Sequence, residues 1–156
     1  MTERSAYREG AVPCPACAAL MRIEHTPSAQ LEVCDACEGV WIDWFEGEVH
    51  AVAVEVEAAR RERGTPLPSR ASAPPASGSK TCPRCRTALV AELYRFADAK
   101  RDDLITGVEV LRCVECAGAF VPRSSAHLLL ERVTEQQTQT PLEALHGLLQ
   151  RLWVKP

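Results

Sequence analysis

Aromatic residues are scarce in this chain of 156 residues, at 5% of the composition. A hydrophobic core must therefore rely on leucine, valine and alanine. No uninterrupted apolar run reaches the ~18 residues that a membrane-spanning helix needs. The first ten residues, MTERSAYREG, also lack the apolar stretch of a signal peptide. These absences predict a cytoplasmic protein without a membrane partner.

Signatures of catalysis are missing as well. The sequence has no Ser-His-Asp order, no glycine-rich phosphate loop and no paired-carboxylate pattern. The four histidines are scattered, with no spacing that places two on one face: His25, His50, His127 and His146. We therefore expect surface or helix histidines and a protein that is not an enzyme.

The charge is weakly acidic and unevenly distributed. The net charge is −3 and the pI is about 5.8, which gives no general attraction to nucleic acid. Residues 1–57 carry 3 basic and 11 acidic side chains, whereas residues 58–86 carry 7 basic and 1 acidic. The acidic first part argues against binding of phosphates there. Arg84 and Arg86, in the basic part, are the candidate nucleic-acid contacts, although a solvated basic segment is the favoured interpretation.

Unpaired cysteines are absent, because every cysteine belongs to a Cys-x-x-Cys pair. The four pairs are Cys14/Cys17, Cys34/Cys37, Cys82/Cys85 and Cys113/Cys116. A reducing cytosol disfavours stable disulfides, so this strict pairing points to metal or redox chemistry.

The pairs form two similar units. CPAC is followed after 16 residues by CDAC, and CPRC is followed after 27 residues by CVEC. Each unit closes with Cys-x-x-Cys-x-Gly-x-aromatic-apolar, as CDACEGVWI and CVECAGAFV. The repetition predicts two copies of one small module.

A segment rich in proline, serine and alanine separates the two units. Residues 64–79, GTPLPSRASAPPASGS, include four prolines and five serines or threonines. This composition is typical of a flexible linker. We predict a first module with its helix at 10–63, the linker at 64–79 and a second module with C-terminal helices at 80–156.

Hairpins and helices are predicted in both modules. ALMRIEH and QLEV, around the turn TPS, indicate one hairpin; TALVAELYRFADA and LITGVEVLRC, around DAKRDD, indicate a longer one. Asp43 and Glu46 resemble a capping box that starts a helix with an apolar stripe through Val49, Val52 and Val56. A second helix is predicted over 124–137. A third begins at Thr140 and Pro141, with a leucine and tryptophan stripe that either covers the second module or mediates self-association.

The cysteine spacing favours zinc. A Cys-x-x-Cys turn supplies two thiolates to one tetrahedral centre, and a hairpin brings in the second pair. The predicted ligands are Cys14, Cys17, Cys34 and Cys37 for one ion and Cys82, Cys85, Cys113 and Cys116 for the other. Gly39 and Gly118, two residues after each last ligand, are expected to take a positive φ where the chain leaves the turn. Two zinc ions would also stabilise modules too small for a large core.

Other roles for the cysteines are less consistent with the pattern. A thioredoxin-like pair precedes a helix, whereas strand-like segments follow CPAC and CPRC. The usual iron–sulfur spacings are absent. Four cysteines complete each site, which argues against a catalytic zinc with an open position.

Residues 14–48, CPAC followed by CDACEGVWIDWFEGE, resemble the transcription factor IIB-type zinc-ribbon family of small bacterial proteins. The resemblance implies a zinc ribbon whose ligands are the first four cysteines. The second module resembles a divergent copy, which keeps Pro83, Gly118 and an aromatic residue (Phe120 in place of Trp41) but has PRSS at the helix start.

These observations predict a small, metal-stabilised α+β protein with two zinc-ribbon modules, each a β-hairpin with a four-cysteine site followed by a helix. Trp41 is expected to cover the zinc site and pack the hairpin against the helix, and Trp44 to be exposed. The expected function is zinc-stabilised protein binding or scaffolding, with transcription as one setting. A zinc-thiolate redox sensor and nucleic-acid binding through the second module and the basic linker remain alternatives.

Overall fold

Six strands and two helices form the part of the chain that the structure describes. The structure is a computed structural model and describes residues 12–67, 79–96 and 106–138. The elements in chain order are β1 (Arg22–His25), β2 (Gln30–Val33), β3 (Val40–Ile42), α1 (Val49–Glu62), β4 (Val90–Phe96), β5 (Thr106–Arg112), β6 (Ala119–Val121) and α2 (Arg123–Thr138). Ribbon one denotes β1, β2, β3 and α1 with the CPAC and CDAC turns, and ribbon two denotes β4, β5, β6 and α2 with the CPRC and CVEC turns.

The two ribbons share one sheet. Its strand order is β1-β2-β3-β6-β5-β4, and every neighbouring pair is antiparallel. At the centre β3 pairs with β6, so that Trp41 lies opposite Phe120. These two aromatic residues occupy the same position in the sequence repeat, so the pairing relates the ribbons by an approximate twofold axis. The sequence had left open whether the ribbons pack together; they do, and we call the β3–β6 pairing the joint.

The sheet carries a different core on each face. Successive side chains of a strand point to opposite faces. On one face, Val40 and Ile42 of β3 pack with Val52 and Val56 of α1 and with Leu129 of α2. On the other face, Trp41 and Phe120 pack with cysteines of both ribbons. The fold is therefore a small α+β arrangement with helices on one face of the sheet and cysteine turns on the other.

Both predicted hairpins are confirmed. β1 and β2 lie within ALMRIEH and QLEV, and β4 and β5 lie within the longer segments of the second module. The predicted turn at 98–103 lies outside the described residues. The third strand of each ribbon, VWI or AFV, was not predicted.

The start predicted for α1 is wrong. The helix begins at Val49, and its N-cap residue Glu48 makes no side-chain capping bond. Half of the capping box does form, since the Asp43 N–H donates to the Glu46 carboxylate at 2.7 Å, but it closes a turn before the helix. Gly47, with φ 130°, separates that turn from α1. The Asp43 carboxylate is engaged elsewhere, as described below.

The second helix matches the sequence closely, because α2 covers Arg123–Thr138 and the prediction was 124–137. The third predicted helix, with its proposed self-association, lies outside the described residues. Most of the predicted linker, residues 68–78, does so too, and the predicted module boundaries stay predictions. None of the helices within the described ranges has the length and apolarity that crossing a bilayer requires.

Candidate metal centres

The same backbone turn is built four times around the cysteine pairs. In each, the N–H of the first cysteine donates to the carbonyl oxygen five residues later, at 2.7–2.9 Å; the donors are Cys14, Cys34, Cys82 and Cys113. The residue after the second cysteine has a positive φ of 57–64°; these residues are Ala18, Glu38, Arg86 and Ala117. A left-handed conformation at a residue other than glycine costs about 1–2 kcal/mol. Four such residues at equivalent positions show that the turn geometry is imposed at each pair.

The expected role of Gly39 and Gly118 is therefore wrong, since the residue before each glycine takes the positive φ. These glycines are needed for a different reason. A Cβ atom at Gly39 would lie 2.1 Å from the Phe120 ring, and one at Gly118 would lie 2.4 Å from the Trp41 ring. Each glycine thus makes room for the aromatic side chain of the other ribbon, and the motif serves the joint.

In ribbon one, the four predicted ligands converge. The sulfurs of Cys14, Cys17, Cys34 and Cys37 lie within 4.8 Å of one another. The Cys14–Cys37 distance is 3.5 Å and the Cys17–Cys34 distance is 3.4 Å. Cys14 and Cys34 are buried, and the second cysteine of each pair is half-buried.

Ribbon two brings its four predicted ligands together in the same way: Cys82, Cys85, Cys113 and Cys116. The Cys82–Cys116 sulfurs are 3.6 Å apart and the Cys85–Cys113 sulfurs are 3.3 Å apart. Cys85 is exposed, unlike its counterpart Cys17. The second group is therefore the more accessible of the two.

Both groups fit a zinc ion. A tetrahedron with zinc–sulfur bonds of about 2.3 Å has sulfur–sulfur edges of about 3.8 Å, close to the distances observed. All eight cysteines are free thiols. Backbone N–H groups point at the sulfurs, as in the contacts of Cys37 N with Cys34 Sγ and of Cys85 N with Cys82 Sγ, both 3.5 Å. Each group could hold one zinc ion, two per chain, through four sulfur ligands.

The pKa is lowered in some of these thiols and raised in others. A hydrogen bond from Cys37 lowers the pKa of Cys14 to about 5, and the hydrogen bond with the Thr87 hydroxyl lowers the pKa of Cys85 to about 6. Burial raises the pKa of Cys17, Cys82 and Cys116. Crowded, buried thiols lose their protons reluctantly unless a cation is present, so a divalent metal would supply the missing positive charge.

Trp41 and Phe120 lie between the two groups. Their side chains are 0% and 1% exposed and pack with cysteines of both ribbons. The expectation that Trp41 covers the zinc site agrees with this position. The expectation that it packs the hairpin against the helix is wrong, because α1 packs on the opposite face of the sheet.

A buried ion cluster ties the two ribbons together beside the metal sites. The Arg84 guanidinium, from the CPRC turn of ribbon two, contacts the carboxylates of Glu32 and Asp43 in ribbon one. These three side chains are 3%, 4% and 1% exposed. Asp43 also accepts a hydrogen bond from the Trp41 indole N–H at 2.8 Å. The cluster therefore connects the CPRC turn of the second metal site with the joint and with the Trp41 side chain.

The burial of Arg84 argues against its predicted contact with nucleic acid. Its guanidinium is enclosed in the joint, which leaves Arg86 as the exposed member of the predicted pair. Sequence reasoning missed the roles of Glu32, Asp43 and Arg84. The available signals were a charged residue between two apolar residues in QLEV and an arginine where the first module has alanine, Ala16.

Further contacts join the ribbons, some between the helices and some at the cysteine turns. Arg123, at the start of α2, contacts Glu38 and lies 3.5 Å from Glu57 of α1. The backbone N–H of Lys80 donates to the carbonyl of Pro15 at 3.0 Å. The ribbons are thus connected through both faces of the shared sheet.

Two of the three described histidines, His50 and His127, contact other side chains, and His25 is exposed on β1. His50 Nδ1 lies 2.9 Å from the Tyr94 hydroxyl, across the ribbons. His127 lies 3.6 Å from Glu57 and 3.3 Å from Glu131. His146 lies outside the described residues. Neither sulfur group includes a histidine.

Comparison with known families agrees with this geometry. Residues 13–48 match the transcription factor zinc-finger family. The zinc-finger match spans ribbon one from its first cysteine turn to the residue before α1, including its four candidate ligands. The second four-cysteine group supports a tandem copy in ribbon two. No curated protein and no solved structure gives a significant match to the chain.

Proposed function

We propose that this chain is a non-enzymatic binding or scaffold protein whose surface is held in shape by two zinc ions. The observation that carries the proposal is the continuous sheet through β3 and β6, which places two four-sulfur sites in one body. A zinc ion with four thiolate ligands has no open position for a substrate. The zinc would contribute rigidity, and exposed side chains would provide recognition.

Trp44 is the side chain best placed for that recognition. It is 64% exposed, as the sequence led us to expect, and its ring meets Phe45 edge to face with centroids 5.7 Å apart. It borders a pocket of about 200 Å³ that both ribbons line, where the Tyr94 hydroxyl of ribbon two donates to the Glu48 carboxylate of ribbon one at 3.5 Å. Tryptophan and tyrosine frequently anchor protein interfaces. We propose that a protein partner contacts this surface.

The proposed biological setting is supported by the family match alone. Transcription is the proposed setting because the matching family is described by that term, over 36 of the 156 residues. The proposal of protein binding does not depend on it.

Affinity capture from cells tests the proposal when it is combined with a structural control. Tagged wild-type protein, a Trp44→Ala variant and a variant with Cys14 and Cys34 replaced by serine would be captured in parallel. We expect one protein to copurify in stoichiometric amount with the wild type and to be lost with both variants. Trp44→Ala must still bind two zinc ions. Recovery of the same proteins with the tag alone would refute the proposal.

A redox sensor is a second candidate, favoured by the exposure of Cys85 and its 3.3 Å distance from Cys113. Hydrogen peroxide would take two electrons from these two thiolates. A sulfur–sulfur bond forms, the oxygen–oxygen bond breaks, and two protons complete two water molecules. The metal site would lose two ligands, and ribbon two would loosen.

Disulfide mapping after graded peroxide treatment tests this candidate. We expect the Cys85–Cys113 bond to form before any bond in ribbon one, with release of one zinc ion that reduction and added zinc reverse. Cys17–Cys34, whose sulfurs lie 3.4 Å apart, is the matched control pair. Equal oxidation of both pairs, or irreversible release, would exclude a sensor role.

A further inference from the structure

The approximate twofold axis at the joint relates residues of opposite character. Glu32 and Leu111 each lie two residues before a cysteine turn, and each pairs with the central aromatic of its own ribbon, Trp41 or Phe120. One position is acidic and the other is apolar, although the backbone around them is equivalent.

The other two members of the cluster show the same asymmetry. Asp43 stands six residues after Cys37, and Pro122 stands six residues after Cys116. Arg84 is the second residue after its first cysteine, where ribbon one has Ala16. The three charged residues therefore form a single cluster, and the three positions that the axis relates to them hold leucine, proline and alanine.

This asymmetry decides which ribbons can pair. Two copies of ribbon one, joined through β3, would bury Glu32 and Asp43 twice with alanine in place of the arginine. Two copies of ribbon two would bury Arg84 twice against Leu111 and Pro122. A buried charge without its partner is strongly unfavourable. Only the mixed pair places a guanidinium between two carboxylates, as observed.

We infer that the Glu32–Asp43–Arg84 cluster makes the β3 edge of ribbon one an interaction surface that accepts ribbon two and rejects a second ribbon one. The occupant in this chain is its own ribbon two. Specificity of this kind comes from penalties against wrong partners as well as from contacts with the right one. If its own ribbon two cannot bind, the surface will accept ribbon two of another copy.

Two charge-reversed full-length chains test the inference. In the first, Arg84→Glu places three acids at the joint. In the second, Glu32→Lys places a lysine beside Arg84. We expect each chain alone, loaded with zinc, to be a monomer whose β3 and β6 amides exchange with solvent on the order of 100-fold faster than in the wild type. The β1–β2 and β4–β5 amides report whether each ribbon remains folded.

Mixing the two chains should restore pairing. Ribbon one of the first chain retains both acids and matches Arg84 of the second. The lysine introduced by Glu32→Lys in the second chain matches the glutamate introduced by Arg84→Glu in the first. We expect light scattering to give a complex of twice the chain mass of 17.1 kDa, with slow exchange regained in β3 and β6. Neither chain alone should form this species.

A matched control makes the same charge reversal at an exposed position. Arg86→Glu changes an exposed arginine in the same cysteine turn and should leave amide exchange and mass unchanged. The inference would be overturned if Arg84→Glu kept wild-type exchange at the joint, if either chain alone formed the dimer, or if the mixture formed none while both chains kept two zinc ions and protected hairpins.

Discussion

The Arg84 guanidinium donates to the Asp43 carboxylate at 2.9 Å, although 41 residues separate them in the chain. Arg84 lies between two candidate metal ligands of ribbon two, and Asp43 follows β3, the strand of ribbon one that forms the joint. Asp43 also holds the indole of Trp41, which packs against Gly118 in ribbon two. Because of this contact, the conformation of the CPRC turn and the pairing of the two ribbons depend on each other.

Replacing Asp43 should destabilise the protein strongly. Asp43→Ala removes a buried acceptor from both Arg84 and Trp41, and we expect the free energy of unfolding to fall by about 3–5 kcal/mol. Asp35→Ala is the matched control. Asp35 is 70% exposed and pairs with Arg22 on the surface, so its loss should cost about 0–1 kcal/mol. Denaturant titration of the zinc-loaded proteins measures both. Equal costs for the two variants would show that the buried cluster does not stabilise the joint.

Alanine at Gly39 should be destabilising because its Cβ would overlap the Phe120 ring, at 2.1 Å. We expect a loss of about 1–3 kcal/mol, as for an overpacked core. Phe120→Leu should recover part of this loss, so that the double variant is more stable than the sum of the single effects predicts. Gly64→Ala is the control for backbone strain alone, since φ is 71° there and no atom lies within 4 Å of the added Cβ. Strict additivity of Gly39→Ala and Phe120→Leu would contradict the predicted contact.

Zinc binding should release at least two protons per ion near neutral pH. In ribbon one, burial raises the pKa of Cys17, and the hydrogen bond to Cys14 raises that of Cys37; in ribbon two, burial raises the pKa of Cys82 and Cys116. A raised thiol pKa stabilises the metal-free fold below the unfolded pKa, and that contribution is lost as the pH rises through the folded value. Zinc binds the thiolate, so its affinity changes in the opposite sense and increases with pH.

Calorimetry in buffers of different ionisation enthalpy measures these protons. We expect the number released to decline as the pH is raised towards the thiol pKa values. A count near zero at pH 7, or a zinc affinity independent of pH, would contradict thiolate ligation.

The cysteine pattern predicted the local structure because its geometry is local. Two residues between cysteines suffice to direct both sulfurs to one centre, so the eight candidate ligands could be grouped before any fold was known. The hairpins followed for the same reason, since QLEV and its partner strand are close in sequence. The helix 124–137 was predicted from its own residues to within one residue at each end.

The joint could not be predicted in this way because it depends on contacts between distant residues. Only three residue pairs form β3–β6, and a segment of three residues such as VWI or AFV is too short for a strand to be predicted from it. Gly39 was assigned to a positive φ because its own sequence context suggested one, whereas the ring of Phe120 explains it. Asp43 was assigned to a helix cap that its carboxylate cannot serve, since Arg84 and Trp41 engage it. Sequence periodicity carries no information about such partners.

Zinc content combined with X-ray absorption at the zinc edge tests the central claim most directly. For freshly reduced protein the account predicts two zinc ions per chain, each with four sulfur ligands at about 2.3 Å and no nitrogen or oxygen ligand. Fewer than two ions per chain, or a site with three sulfurs and one oxygen, would contradict the account of two closed, structural centres.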